Sequence, residues 1–111
     1  MAKDVDGGQL IDKLSNFLSL NSSLLEIGSG PGTDFQILKK HYRVIGSDYS
    51  IEFLKRLIDC NAQDQFLNLN AETLETNKKF DGIYSNKVLQ HLADEELRKS
   101  ILRQVEILNR K

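Results

Sequence analysis

The chain has 111 residues, 40% hydrophobic and 28% charged, which suits one soluble domain with a thin core. Fifteen basic against sixteen acidic side chains leave a formal net charge of -1, so no basic excess points to nucleic acid or to an anionic membrane. One cysteine, Cys60, excludes an internal disulfide and a cysteine-rich zinc site, and no apolar run reaches the ~20 residues of a membrane helix.

The opening residues carry no signal-peptide core, so a cytoplasmic setting is the expectation. One proline and short polar breaks give no linker, and residues 1–111 read as a single domain. After Gly7 and Gly8, the residues Leu10, Ile11, Leu14, Phe17 and Leu18 recur at helical spacing, predicting an amphipathic helix over 8–20. Residues 23–27, Ser-Leu-Leu-Glu-Ile, form an apolar run that stops at Gly28 and reads as a buried strand. A glycine-rich turn leads into a helix to about Lys40, carrying Phe35, Ile37 and Leu38, with Thr33 and Gln36 spaced as a capping box.

Val44, Ile45 and Gly46 predict a second strand that ends at Ser47 and Asp48. Ser50 is placed to cap the next helix, whose inner face would be Ile51, Leu54, Leu57 and Ile58. A third strand is expected over 65–69 and a fourth over 80–84, with a helical turn over 72–75 between them. A short helix over 87–92 precedes a longer one over 94–109. The last has Asp94, Glu95 and Glu96 at its start and Arg110 and Lys111 at its end, matching the helix dipole. Its buried stripe would be Leu97, Ile101, Leu102, Val105 and Leu108. Strands alternating with helices imply an α/β fold, an open parallel sheet with helices on both faces.

The segment Glu26-Ile27-Gly28-Ser29-Gly30-Pro31-Gly32-Thr33 carries the chemistry. A strand that runs into glycines and then a helix lets bare backbone approach a ligand. The spacing differs from the dinucleotide fingerprint, because Thr33 stands where its third glycine belongs. That disfavours a nicotinamide-nucleotide domain. Glycines alone also suit a tight turn that binds nothing. Asp48, about 20 residues beyond the first glycine, can accept both hydroxyls of a ribose. Glu26 on the first strand is a costly place for a carboxylate unless it is paired. Ser85, Asn86 and Lys87 arrive at the same sheet edge, so the crevice between the first and fourth strands is the expected site.

The motifs resemble the class I S-adenosylmethionine-dependent methyltransferases, particularly the branch acting on small molecules. LLEIGSGPGTD over 24–34 looks like that family's first motif, VIGSDYS over 44–50 its second and FDGIYSNKVLQHL over 80–92 its fourth. The resemblance implies a Rossmann-like sheet of about four strands in the order 3-2-1-4. It also implies S-adenosylmethionine as cofactor and a small-molecule methyl acceptor; the charge balance and the residues themselves give no sign of nucleic acid, membrane or a metal set. The backbone from Gly28 through Ser29 and Gly30 to Gly32 would pack on the methionine part. Glu26 would order that loop or hold the amino group, Asp48 would grip the ribose, and Tyr49 would lie against adenine. Asn70 and Ala71 would contact the adenine amino group, where the family commonly has Asp in place of Asn70. Ser85 and Asn86 would line the methionine end. His91 is a packing or capping residue on the bland reading and a catalytic general base on the sharper one. Lys87 reads as a solvated charge and His41 as a helix end.

Members of the family continue past the helix over 94–109 into a fifth strand and a closing hairpin. By that resemblance the chain is a truncated methyltransferase fold, incomplete for catalysis by itself. Its fourth strand would be an open edge, to be covered in a homodimer or by a partner chain. The alternative is a non-catalytic Rossmann-like module that self-associates or pairs with another subunit.

Overall fold

In the computed structural model, residues 8–86 and 88–109 are described. Lys87, Arg110 and Lys111, read above as a surface charge and as the basic end of the last helix, lie outside the described residues.

In chain order the elements are α1 (Gly8–Ser15), β1 (Ser23–Ile27), α2 (Thr33–Leu38), β2 (Arg43–Ser47) and α3 (Ile51–Cys60). Then come β3 (Phe66–Leu67), β4 (Gly82–Ser85), a 3-10 turn at Leu89–His91 and α4 (Asp94–Ile107). The sheet has 4 strands in the order β3-β2-β1-β4, all parallel, as the resemblance implied. β1 lies in the middle, with Leu25 opposite both Ile45 and Ile83. That placement puts the strand's last residues and the glycine turn between the tips of β2 and β4.

β1 alternates as a strand must. Leu24 packs with Ile11, Leu18, Leu38 and Tyr42 on the α1 and α2 side. Leu25 and Ile27 face the other way, onto Leu69, Leu74, Phe80 and Ile107. Burying each such aliphatic side chain is worth about 1.5–3 kcal/mol. Two thin cores therefore clamp β1 from both faces. α2 is tied to β3 by the Phe35–Phe66 ring contact at 4.8 Å, and to the end of α3 by Gln36 Nε2 donating to Asn61 Oδ1 at 2.6 Å.

Several boundaries differ from the expectations. α1 ends at Ser15, because Asn16 and Phe17 donate to the carbonyls of Lys13 and Leu14 in tight turns. Phe17 is left 87% exposed, while Leu18 stays in the core. α2 starts without a Thr33–Gln36 capping box: Gly32 is the N-cap in the left-handed conformation, and the Gln36 amide is engaged by Asn61. Ser50 caps α3 as anticipated, accepting from Phe53 N at 3.3 Å. Only Leu54 and Leu57 of that helix turn inward; Ile51 and Ile58 are exposed. β3 keeps two residues of the expected 65–69, and the turn after it folds on Asn70, whose carbonyl accepts from Leu74 N at 2.9 Å.

The largest departure is α4. Its buried residues are Ser100 and Ile107, whereas Ile101, Leu102 and Val105 are 50%, 57% and 66% exposed. Leu97 and Leu108 are half-buried. The helix is turned by Arg103, which donates from Nε to Leu74 O at 3.0 Å and from Nη2 to Thr76 O at 2.8 Å. Those charge-assisted bonds and the buried Ile107 place the 100–103–107 face against the sheet, so the longer apolar stripe points outward. At the helix start Glu96 accepts from Ala93 N at 2.8 Å.

β4 also begins later than expected, at Gly82. Phe80 makes a parallel bridge to Leu108 instead, with Phe80 N donating to Ile107 O at 2.9 Å and Asn109 N to Phe80 O at 2.7 Å. The outer edge of the fourth strand is therefore met at its start by residues 107–109. From Gly82 onward no described strand pairs with it on that side.

Candidate functional site

The turn between β1 and α2 owes its shape to glycine. Gly28, Gly30 and Gly32 all have positive φ, at 71°, 53° and 90°. At Gly28 a side chain is excluded twice over, because a Cβ would lie 2.3 Å from Val88 Cγ2. Ser29, the one side chain turned inward, anchors the loop: its N donates to Ser47 O at 2.7 Å and its hydroxyl to Glu26 Oε1 at 2.7 Å. The same hydroxyl accepts from Ser47 N at 3.2 Å.

Asp48, just past β2, ties the loop to the next helix. Its Oδ2 accepts from Gly30 N at 2.9 Å and its Oδ1 from Ser50 N at 2.9 Å. A single carboxylate thus sets the distance between the glycine turn and the start of α3, while its remaining lone pairs stay available to a ligand.

Two hollows share Gly28 in their lining, and the Asp48 carboxylate borders one of them. The larger, about 360 Å³, has an apolar floor of Ile27, Leu69, Ala71, Val88 and Leu92 and a polar rim of Asp48, Tyr49, Asn70 and His91. The smaller, about 250 Å³, is lined by Glu26, Ser29, Pro31, Thr33, Asp34 and Asn86. An apolar floor with a few convergent polar groups is the usual build of a small-molecule site.

Electrostatically the smaller hollow is acidic. Glu26 is 2% exposed, and burial pushes its carboxyl up from the ordinary 4.5 to about 7. The Ser29 hydrogen bond opposes that rise, and the charges of Asp34 and Asp48 add to it. Asp34, in the first turn of α2, accepts at Oδ2 from Tyr84 Oη at 2.9 Å and from Asn86 Nδ2 at 3.1 Å. Burial and the neighbouring Asp34 push the Tyr84 hydroxyl up, so it stays a donor. This network joins β4 to α2 across the mouth of the hollow.

Of the residues expected at the site, Gly28, Asp48, Tyr49, Asn70 and Ala71 line the larger hollow, and Glu26, Gly28, Ser29 and Asn86 line the smaller. Gly30, Gly32 and Ser85 line neither. Gly30 offers its N–H to Asp48, Gly32 is buried beside Leu57, and Ser85 pairs with Ile27 in the sheet. Asn70 accepts from Glu72 N at 2.8 Å with its side-chain oxygen, the atom that would otherwise be offered to an adenine amino group. His91 lies on the rim, exposed. Asp34 was not singled out, although it closes the 24–34 motif, and neither was Val88, whose contact with Gly28 no spacing rule reveals. No group of three or more His, Cys, Asp or Glu among the described residues could hold a metal ion, and no described helix is long and apolar enough to cross a membrane.

A family model described as "Methyltransferase domain" matches residues 24–111. Among solved structures, DesVI from Streptomyces venezuelae superposes with a TM-score of 0.82 at 20% identity, covering 94% of this chain and 45% of that one. CalS10 from Micromonospora echinaspora, an S-adenosylmethionine-bound amino pentose methyltransferase, gives 0.82 at 15% identity, with 94% and 45% covered. The N-methyltransferase NodS from Bradyrhizobium japonicum, in complex with S-adenosylhomocysteine, gives 0.77 at 24% identity, with 91% and 54% covered. The chain thus spans about half the length of these structures, and at such identities the likeness is one of fold. No curated protein matches the chain.

Proposed function

The chain belongs to the methyltransferase-domain family, and on that premise we propose that its two adjoining hollows hold S-adenosylmethionine, the adenosyl part in the larger and the methionine part in the smaller. The observation that carries this reading is the Asp48–Gly30 bond of 2.9 Å, which ties an ionisable acceptor on the larger hollow to the glycine turn whose Gly28 lines both. Asp48 is the acceptor for the ribose hydroxyls. Tyr49, Leu69 and Ala71 offer a flat, largely apolar slot for adenine, and Asn70 stands at its edge. Glu26 and Asp34 make the smaller hollow suited to an ammonium group, and Asn86 closes its far side. The larger volume falls in the range of roughly 300–1,000 Å³ usual for small-molecule sites.

When bound, the cofactor supplies an activated methyl group for in-line displacement, a reaction helped mainly by proximity and orientation. The part of this chain is to bind and orient. Gly28 gives the turn its left-handed bend and lets Val88 pack against it, completing the apolar floor of the larger hollow. His91, on the rim, is the candidate to take a proton from the acceptor. A small-molecule acceptor is in keeping with solved structures of this fold, such as the amino pentose methyltransferase CalS10. A cytoplasmic setting suits an exposed free thiol, Cys60.

Calorimetry with S-adenosylhomocysteine, followed by a methyl-transfer assay on the chain alone, tests the reading. Binding supports it, with turnover or without. No heat at millimolar ligand contradicts it and favours a second reading, a non-catalytic module that works by association. That alternative draws on one observation, the exposed Ile101, Leu102 and Val105 of α4. These residues suit a second copy or a partner chain.

A further inference from the structure

Asn68 stands past the end of β3, with its side chain on the surface, and carries no role in the reading above. Its amide nitrogen donates to two successive carbonyls across the sheet edge, Asp48 O at 3.0 Å and Tyr49 O at 3.2 Å. The backbone ladder between these strands is short. β3 pairs with β2 only through Gly46–Phe66 and Ser47–Leu67, and the last rung is Asp48 N donating to Leu67 O at 3.2 Å. One side chain therefore continues the pairing beyond the point where the strands stop.

The two captured peptide units belong to two residues of the larger hollow. The direction of the Asp48 carboxylate follows from the backbone that carries it, and the carboxylate in turn holds Gly30 N and Ser50 N, each at 2.9 Å. Asn68 thus sits one bond behind a chain of contacts that runs from β3 through Asp48 to the glycine turn.

We propose that Asn68 is a positioning residue for the adenosyl side of the site, fixing the peptide units of Asp48 and Tyr49 so that carboxylate and phenol ring face the hollow at the angle the nucleoside needs. The proposal rests on the cofactor reading for its ligand, but its geometric half stands apart from it. The side-chain amide suits the task because it offers two N–H groups from one rigid plane, where Ser or Thr would offer a single donor and Asp none.

The test uses the whole chain and the variants Asn68→Ala and Asn68→Asp, each checked for an intact fold by circular dichroism. Amide hydrogen exchange is followed at Gly30 and Ser50, and S-adenosylhomocysteine is titrated by calorimetry. In Asn68→Ala both amides should exchange faster than in the wild type. Affinity should fall roughly three- to tenfold, the scale of one or two lost hydrogen bonds. Asn68→Asp, which sets an oxygen against two carbonyls, should lose more. In an Asp48→Ala background the further change to Asn68→Ala should cost little, because Asn68 acts through Asp48. A merely structural asparagine would lower thermal stability, leave the two amides unchanged and add its full effect on affinity to that of Asp48→Ala. That result overturns the proposal, as does wild-type affinity in Asn68→Ala. If the wild-type chain binds no ligand, the cofactor reading falls, and unchanged exchange at Gly30 and Ser50 would then refute the positioning by itself.

Discussion

Asp48 and Gly30 are 18 residues apart in the chain, yet the Oδ2 of the first accepts the N–H of the second at 2.9 Å. The glycine turn is thereby held by a residue from the neighbouring strand tip, and the two are not independent halves of a site. A ligand that draws on the Asp48 carboxylate is felt by the loop, and a change in the loop is felt by the carboxylate.

Asp48→Ala removes both the acceptor offered to ribose and the tie to Gly30 and Ser50. Calorimetry should show S-adenosylhomocysteine binding weakened by about 1.5–3 kcal/mol, the range for a charged hydrogen bond. Equal affinity in the variant would show that Asp48 has no such role.

Glycines in the turn should differ in their tolerance of alanine. At Gly28 the new methyl meets Val88 Cγ2 at 2.3 Å, whereas at Gly30 nothing lies within 4 Å and only the φ of 53° resists. Urea denaturation should show Gly28→Ala to be destabilised by about 1–3 kcal/mol, by overpacking, and Gly30→Ala by about 1 kcal/mol. Val88→Ala added to Gly28→Ala should restore part of the loss. The reverse ranking would mean that Val88 does not close the turn.

Glu26 predicts a dependence on pH whose sign follows from its raised pKa. The carboxyl holds its proton more readily in the folded chain than in the unfolded one, with about 7 against the ordinary 4.5. Its contribution to stability is therefore full below about 4.5 and is lost as pH rises through about 7. Glu26→Gln keeps a neutral acceptor for Ser29, so thermal melts should show it more stable than the wild type at pH 8, by on the order of 3 kcal/mol at most. Cofactor affinity should move the other way. It should rise in the wild type between pH 6 and 8, as the carboxylate ionises to meet an ammonium, and stay flat in Glu26→Gln. Identical pH profiles for the two proteins would contradict the assignment.

On α4, the exposed Ile101, Leu102 and Val105 predict association. Analytical ultracentrifugation at tens of micromolar should show the wild type self-associating and Leu102→Lys with Val105→Lys sedimenting as a monomer at unchanged helix content. A monomeric wild type would refute the self-association reading.

What was legible in the residues follows the reach of the signals. β1 could be read because an apolar run that ends in glycine is a local pattern, and Ser50 because a cap needs only its own helix. The order of the strands followed from the motif series as a whole. The outward turn of α4 could not be read, since two backbone carbonyls, Leu74 O and Thr76 O, decide it by taking the Arg103 guanidinium. The same holds for the start of α2, where Gln36 spends its amide on Asn61, 25 residues away, and the capping box is left unmade. At the site, Glu26 stood out as a carboxylate where one is costly, and Asp48 by its spacing from the first glycine. Asn68 did not, because a polar residue at a strand end carries no pattern until its partners are seen.

The central claim is that Asp48 and the glycine turn together clasp one adenosyl sulfonium. A crystal of the chain grown with S-adenosylhomocysteine tests it most directly. Expected is a nucleoside in the larger hollow, with both ribose hydroxyls within hydrogen-bond distance of the Asp48 carboxylate and the amino-acid tail over Gly28 towards Glu26. An empty crevice at saturating ligand, or a nucleoside bound elsewhere while Asp48 faces away, would contradict it.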